Sequence, residues 1–170
     1  KVAAYVDKAR EQGAKILTGG RAATSEDTNG QHGTGTTDLG AGVYYLPTII
    51  DGATREMDCV HDEAFGPTVT IETFTTEEEA IEIANDTEYG LAGAVYTSDA
   101  GRAERVARAL RHGTIWINDF HPYLPQAEWG GYKQSGNGRE LGPTGLAEYQ
   151  EHKHVYQNLS PAAWDQFGLQ

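Results

Sequence analysis

The fold class of this chain is decided by the stretch LAGAVYTSDAGRAERVARALRHGTIWIN, residues 91–118. It opens with the apolar run LAGAVYT and closes with the apolar run TIWIN, and each run is typical of a buried strand. Between them, apolar side chains recur at the spacing i, i+3, i+4, i+7, which predicts one buried helix face: Ala103, Val106, Ala107 and Leu110. Two buried strands joined by a helix indicate a βαβ unit with parallel strands.

The sequence around this unit extends the same alternation. Ser98 or Asp99 can cap the helix, and Gly113 can end it as the residue after the C-cap. Upstream, PTVTIETF (67–74) predicts a further strand. The tetrapeptide TEEE (76–79) that follows it matches a capping box, which opens another helix. We therefore predict an α/β fold in which a parallel sheet is flanked by helices.

The N-terminal flank of this core is less regular. Residues 2–12 predict a helix and residues 15–17 a short strand, whereas the polar residues 21–42 predict a long exposed loop that is mobile. VYYLPTII (43–50) predicts a strand in which Pro47 indicates an edge position or a bulge. Because the chain opens with Lys1 inside a helical pattern, we expect that an N-terminal part is missing.

The charge of the chain argues against two classes of partner. Asp and Glu number 25 against 13 Lys and Arg, for a formal net charge of −12. Nucleic acids and anionic membrane surfaces bind clustered positive charge, so neither is an expected partner. An acidic surface serves solubility in general, and it also suits a halophilic protein in a high-salt cytoplasm. Both explanations stay open.

Cys59 is the only cysteine, which excludes a disulfide framework or a cysteine zinc site within this chain and fits a reducing cytoplasm. It lies in the semi-apolar run MDCV, so we predict a small buried strand residue and not a nucleophile. The six histidines are scattered without metal-ligand spacing, and no metal site is predicted.

Two segments carry candidate binding residues. In EAFGP (63–67), the Glu63 carboxylate is suited to accept both hydroxyls of a ribose diol, and Phe65 is suited to lie against a flat ring. The alternative is a turn with an exposed acid and a core phenylalanine. In the loop after Asn118, three aromatic residues lie within ten positions: Phe120, Tyr123 and Trp129. They either line an apolar or cation-binding pocket or pack in the core.

The glycine-rich run WGGYKQSGNGRELG (129–142) predicts a shaped loop, which serves as a linker, a phosphate cradle or a pocket wall. Its glycine spacing does not match the dinucleotide fingerprint G-x-G-x-x-G, and no Walker A pattern is present. His121 is an ordinary loop histidine unless a partner makes it a base. Residue types alone thus indicate an α/β domain with a glycine-rich, aromatic-lined loop, and they indicate no reaction.

Taken together, these segments resemble the C-terminal part of the NAD(P)-dependent aldehyde dehydrogenase superfamily over nearly the whole chain. The resemblance is carried, in family order, by EAFGP (63–67), YGLAG (89–93), GTIWIN (113–118) and the glycine-rich run, with residues 145–146 and 148–149. Within the family, YLPQAEWGG (123–131) is most similar to the betaine aldehyde and related aminoaldehyde enzymes, although Glu128 stands where their pattern usually has proline.

The resemblance implies a role for each candidate residue. Glu63 would hold the nicotinamide ribose of NAD or NADP, and Phe65 would pack on the nicotinamide. Trp129 would face a trimethylammonium group. The residues expected to line the aldehyde pocket are Asn118, His121, Tyr123 and Trp129. The residues expected to brace the interface of a homo-oligomer are Glu151 and Lys153.

The resemblance also implies a domain organisation. Residues 1–150 would form part of a Rossmann-like catalytic domain, and residues 151–170 would form an oligomerisation strand, near 153–157, and a C-terminal tail. The family's catalytic cysteine and general base lie upstream of the matching segment, so we expect these residues alone to be inactive. A small-molecule aldehyde is the expected substrate of the intact cytoplasmic enzyme. The alternative is a truncated, non-catalytic oligomerisation or regulatory module.

Overall fold

The computed structural model describes residues 1–27 and 38–159. Twelve helices and strands lie in these ranges, besides one 3-10 turn at Leu39–Ala41. In chain order they are α1 (Val2–Glu11), β1 (Lys15–Thr18), β2 (Thr48–Asp51), α2 (Asp58–His61), β3 (Thr68–Ile71), α3 (Glu77–Asn85), β4 (Tyr89–Gly90), β5 (Ala92–Val95), α4 (Ala100–Ala109), β6 (Thr114–Ile117), β7 (Tyr132–Lys133) and α5 (Gly142–Ala147). None of these helices is long and apolar enough to cross a membrane.

The βαβ unit predicted for residues 91–118 is confirmed. Strands β5 and β6 are parallel, and their register runs from the pair Ala92–Thr114 to the pair Val95–Ile117. Helix α4 connects them and contacts both strands. Asp99 rather than Ser98 is the cap, because its carboxylate accepts a 3.0 Å hydrogen bond from the Arg102 amide.

The predicted role of Gly113 at the end of α4 is wrong. The helix ends at Ala109, and Leu110 is already extended with ψ of 126°. Gly113 instead precedes β6 and donates its amide to the Gly90 carbonyl at 3.0 Å. A side chain there would collide with the backbone of Gly130. Glycine is needed at this position because two segments approach closely.

A second group of strands precedes this unit. Strand β2 lies between β1, which is antiparallel to it, and β3, which is parallel to it. The prediction of an edge strand or bulge at Pro47 is wrong, because β2 is central and begins after that proline. The irregularity in pairing falls on β1 instead, between Ile16 and Thr18.

Helix α1 packs against α2 to form the main hydrophobic core. Its buried members are Ala9, Ala14, Ile50, Met57 and Cys59. Cys59 is buried as predicted, but it lies in a helix and not in a strand. Burial raises the pKa of the Cys59 thiol. The Tyr5 hydroxyl of α1 donates to the Cys59 carbonyl at 2.9 Å, which ties the two helices together.

Helices α3 and α4 are neighbours linked by charge. The guanidinium groups of Arg102 and Arg105 both reach the Glu77 carboxylate, at 3.2 Å and 2.9 Å. Their hydrogen bonds, that of Arg105 foremost, lower the pKa of Glu77. The predicted capping box is confirmed in a shifted form. The Thr76 hydroxyl accepts from the Glu79 amide, but the Glu79 carboxylate accepts from the Thr75 amide at 2.7 Å.

Two predictions, the C-terminal strand and the mobile loop, are not confirmed by the structure. The strand expected near 153–157 is not confirmed, since residues 151–159 have neither helical nor strand geometry in the described chain and are exposed. A strand needs a hydrogen-bonded neighbour, and the described part of the chain pairs none with this segment. The centre of the predicted mobile loop, residues 28–37, lies outside the described ranges, as do residues 160–170.

Candidate active site

The turn that contains Glu63 and Phe65 connects α2 with β3. The Tyr5 hydroxyl holds its beginning, because it shares its one proton between the carbonyls of Cys59 and Asp62, at 2.9 Å each. Its end is held where the Thr48 amide donates to the Pro67 carbonyl at 2.8 Å. Both ends are therefore fixed to the core, one by α1 and the other by β2. Burial raises the pKa of the Tyr5 hydroxyl to about 12, so it stays a proton donor at neutral pH.

Phe65 is presented outward by this turn. Its φ of 49° is in the left-handed region, and its side chain is 82% exposed. The alternative of a core phenylalanine is therefore wrong, and the adjacent Ala64 is the buried residue. A non-glycine residue held at positive φ carries backbone strain, which the structure retains only where its surroundings enforce it.

A surface cavity of about 340 Å³ lies beside the turn, and Glu63 and Phe65 both line it. An exposed ring and an exposed carboxylate two residues apart match the two parts of a nicotinamide riboside, a flat heterocycle and a diol. The residues present therefore fit that group.

Aromatic side chains gather around Trp116 at the other candidate region. We call Trp116, Phe120, His121, Tyr123 and Trp129 the aromatic cluster. Trp116 contacts the rings of Phe120, His121 and Trp129 at centroid distances of 5.5, 5.7 and 5.9 Å. Tyr123 contacts His121 and Trp129 at 4.8 and 4.7 Å, with both pairs edge to face. The structure thus brings three predicted pocket residues together: His121, Tyr123 and Trp129.

Trp116 is the member of the aromatic cluster that sequence reasoning missed. It is 8% exposed and lies in β6, and its indole Nε1 donates to the Pro122 carbonyl at 3.3 Å. This bond holds the loop after β6 against the strand. The available signal was a large aromatic residue inside the apolar run TIWIN, since such a residue in a buried strand is expected to pack against neighbouring elements.

A cavity of about 210 Å³ opens beside the aromatic cluster. It is lined by residues of β6 and of the following loop: Thr114, Ile115, Trp116, Pro122, Tyr123, Leu124, Ala127, Glu128, Trp129 and Leu141. Three aromatic side chains and one carboxylate are among them. Both kinds of group attract cations, the rings through their π faces and the carboxylate through its charge.

Asn118 directly follows β6 and has φ of 53°. Its side chain binds the backbone of Thr97: Oδ1 accepts from the Thr97 amide at 2.8 Å and Nδ2 donates to the Thr97 carbonyl at 2.9 Å. This pair of bonds joins the carboxyl ends of the parallel strands β5 and β6. A direct contact of Asn118 with an aldehyde stays a prediction.

The glycine-rich run folds back on itself as a pocket wall, and the linker interpretation is wrong. The backbones of Trp129 and Glu140 exchange two 2.7 Å hydrogen bonds, which close the loop. Arg139 donates through Nη1 to the Gly131 carbonyl at 3.0 Å, and its guanidinium lies 5.4 Å from the centre of the Tyr132 ring. The cavity wall at Trp129 is thereby held from both sides.

Lys133 anchors the same loop to the end of α3. Its Nζ donates to the carbonyls of Asn85 and Thr87, at 2.9 Å each, at the end of α3. The Asn85 side chain continues the network, since it donates to the Ala109 carbonyl and accepts from the Arg111 amide. None of these contacts was predicted.

Residues 1–155 match the model described as aldehyde dehydrogenase family. The chain belongs to this family. The family resemblance predicted from the motifs and the α/β fold class are both confirmed. The positions of Glu151 and Lys153 are exposed, and their interface role stays a prediction.

Relatives of this chain are named betaine aldehyde dehydrogenase or aminoaldehyde dehydrogenase. Betaine aldehyde dehydrogenase of Bacillus subtilis (strain 168) is 54% identical over 167 residues, which are 98% of this chain and 32% of that protein. A peroxisomal aminoaldehyde dehydrogenase of Pisum sativum is 43% identical over 164 residues, 96% of this chain and 30% of that protein. The chain spans about a third of the length of these curated relatives.

Solved structures agree with the fold. A betaine aldehyde dehydrogenase from Staphylococcus aureus, in complex with NAD+, matches with a TM-score of 0.86 and 48% identity over 98% of this chain and 31% of that chain. The mixed parallel sheet segments and flanking helices described above are thus those of aldehyde dehydrogenase structures.

His112 should make the folded chain less stable at acidic pH. Burial, and secondarily the nearby Lys133 charge, lower the pKa of His112, and its Nδ1 has no hydrogen-bond partner within the described ranges. The unfolded chain therefore binds a proton at His112 more readily, and the free energy of unfolding should fall as the pH drops below about 6.5.

In urea titrations from pH 7.5 to 5, His112→Phe should reduce this fall in the free energy of unfolding. The matched control is His152→Phe, at an exposed position. An equal fall in wild type and His112→Phe would contradict the prediction.

Proposed function

We propose that this chain supplies part of the cofactor site and of the aldehyde site of an NAD(P)-dependent aldehyde dehydrogenase that oxidises betaine aldehyde or a related cationic aminoaldehyde to its acid. The observation that carries the proposal is the cavity of about 210 Å³ lined by Trp116, Tyr123 and Trp129. Relatives named betaine aldehyde and aminoaldehyde dehydrogenases support it.

The aromatic cluster favours a cationic substrate for a physical reason. A quaternary ammonium group has no N–H to donate, so it is recognised by π faces, as in cages for choline-like ligands. Trp129 is stacked on Trp116 with an interplanar angle of 28°, and Tyr123 meets Trp129 edge-on at 70°. Rings fixed in two orientations form two walls of a cage before a ligand arrives, which lowers the entropic cost of binding.

Glu63 and Phe65 serve the cofactor in this proposal. The Glu63 carboxylate accepts hydrogen bonds from the ribose hydroxyls, and the exposed ring of Phe65 supports one face of the nicotinamide. When bound, the nicotinamide supplies the hydride acceptor. Hydrogen bonds to backbone carbonyls fix the turn at both ends, so the two side chains are positioned by the fold before binding.

Cys59 is not the nucleophile in this proposal. The family's reaction requires a thiolate that attacks the aldehyde, followed by hydride transfer and release of the acid by water. Cys59 is 5% exposed, and burial raises the pKa of its thiol, which opposes thiolate formation. We accordingly propose that the described residues bind and orient the reactants, and that the 170-residue chain on its own does not turn over aldehydes.

The test compares two aldehydes of the same shape. Betaine aldehyde and 3,3-dimethylbutanal differ in that a quaternary nitrogen replaces a carbon. With NAD+ and the natural gene product that carries this chain, kcat/KM for betaine aldehyde should be at least about tenfold higher, which corresponds to about 1.4 kcal/mol of cation–π attraction. Equal values would contradict a cationic substrate. No turnover of either aldehyde would favour the non-catalytic module.

Glu63→Gln should weaken the cofactor interaction about fivefold. The amide keeps one acceptor oxygen but loses the negative charge, so part of the benefit of a charged hydrogen bond, about 1 kcal/mol, is lost. The measurements are the NAD+ dissociation constant by fluorescence and the rate of hydride transfer in a single turnover. Glu56→Gln, at another surface position, is the control. An unchanged dissociation constant and hydride-transfer rate in a folded Glu63→Gln variant would contradict the assignment.

A further inference from the structure

A carboxylate lies at the edge of the cavity beside the aromatic cluster. Glu128 immediately precedes Trp129 in the chain, and both residues line the same cavity of about 210 Å³. The Glu128 side chain is held in place, because its Oε1 accepts a 3.1 Å hydrogen bond from the Thr144 hydroxyl of α5. The carboxylate of a residue that lines the aromatic cavity is thus held at a defined position.

We propose that Glu128 is a specificity-determining residue, which adds a negative charge to the aromatic cavity and thereby raises the preference for cationic aldehydes over neutral ones. This inference rests on the function proposed above and assigns part of its selectivity to one residue. The aromatic rings supply short-range attraction to a cation, whereas a carboxylate acts over a longer distance and on the approach of the substrate.

The state of the carboxylate supports this role. Hydrogen bonds, from its own backbone amide first and then from Thr144, lower the pKa of Glu128, so it is ionised at neutral pH. Glu128 takes part in no ion pair within the described residues, so no neighbouring cation neutralises its charge.

The magnitude of the effect is limited by solvent. Glu128 is exposed, and the attraction between two charges is weak where water separates them. At low ionic strength we expect the charge to contribute about threefold to tenfold in the kcat/KM ratio of a cationic to a neutral aldehyde. Salt should reduce this contribution, because the Debye length falls from about 30 Å at 0.01 M to about 8 Å at 0.15 M.

Two variants separate the charge from the hydrogen bond. Glu128→Gln removes the charge but keeps an oxygen that accepts from Thr144. Thr144→Val keeps the charge but removes the hydroxyl donor. In the natural gene product, kcat/KM is measured for betaine aldehyde and 3,3-dimethylbutanal at 0.01 M and 0.15 M ionic strength. Thermal unfolding confirms that each variant is folded.

The expected result is specific to the charge. Glu128→Gln should lower the ratio of the two kcat/KM values about threefold to tenfold at 0.01 M and less at 0.15 M, whereas Thr144→Val should leave the ratio within about twofold of wild type. An unchanged ratio in Glu128→Gln overturns the inference. So does an equal loss in both variants, which would make Glu128 a structural clamp. A wild-type protein without preference for betaine aldehyde overturns the proposed function itself, and the role of Glu128 with it.

Discussion

Gly113→Ala should destabilise the folded chain by about 3 kcal/mol. An added Cβ would overlap the Gly130 carbonyl oxygen and would lie 2.8 Å from the Gly130 carbonyl carbon. Both are backbone atoms, so no side chain can rotate away to relieve the collision. The start of β6 or the glycine-rich run must move.

Movement in either segment has further consequences. The Gly113 amide donates to the Gly90 carbonyl, and Gly90 pairs with Tyr132 between β4 and β7. Gly130 follows Trp129, so a shift of its backbone also displaces one wall of the aromatic cluster. The variant should therefore lose aldehyde selectivity as well as stability.

The matched control is Gly101→Ala, in helix α4. A Cβ at Gly101 would meet only side-chain atoms, the Asp99 carboxylate at 3.3 Å and the Arg105 guanidinium at 3.4 Å, so a shift of a few tenths of an ångström relieves both contacts. Because alanine also favours a helix over glycine, the stability of this variant should stay within about 1 kcal/mol of wild type. Urea denaturation measures both, and equal stabilities for the two variants would contradict the steric argument.

In the natural gene product that carries this chain, and on the function proposed above, Trp129→Leu should lower kcat/KM for betaine aldehyde about 10- to 30-fold, and much less for 3,3-dimethylbutanal. Leucine keeps an apolar side chain but removes the π face, and cation–π attraction in a desolvated site is worth about 2 kcal/mol. Trp129 stacks on Trp116 and meets Tyr123 edge-on, so its plane is set by the aromatic cluster.

The ratio of the two losses is the decisive measurement, because general damage to folding or to cofactor binding affects both aldehydes alike. Phe120→Leu is the control. Phe120 belongs to the aromatic cluster through Trp116 and His121, but it does not line the cavity of about 210 Å³. Equal losses for the two aldehydes in Trp129→Leu would make Trp129 a packing residue and would leave the aldehyde class undefined.

Elements stabilised by nearby residues were predictable from sequence. The apolar face of α4 and the apolar runs of β5 and β6 depend on the spacing of adjacent residues, and all three elements are present. The caps by Thr76 and Asp99 act over three positions, and both are formed. Local rules succeed here because the interacting groups are neighbours in the chain.

Three local predictions failed where distant segments compete. Gly113 had the residue type of a helix end, but α4 had already ended at Ala109, and glycine is needed there because Gly130 approaches closely. Pro47 indicated an edge, but β2 begins one residue later and is central. Cys59 was assigned to a strand because short apolar runs do not distinguish strand from buried helix.

By itself, the sequence determined the α/β class, the family and most of the residues at both candidate regions, because periodicity and motif order are properties of neighbouring residues. Only the tertiary structure decided that Phe65 is exposed, that Trp116 organises the aromatic cluster, and that Glu128 lines the same cavity as the rings of that cluster. These outcomes depend on which segments meet in space, and packing between such segments overrides local preference.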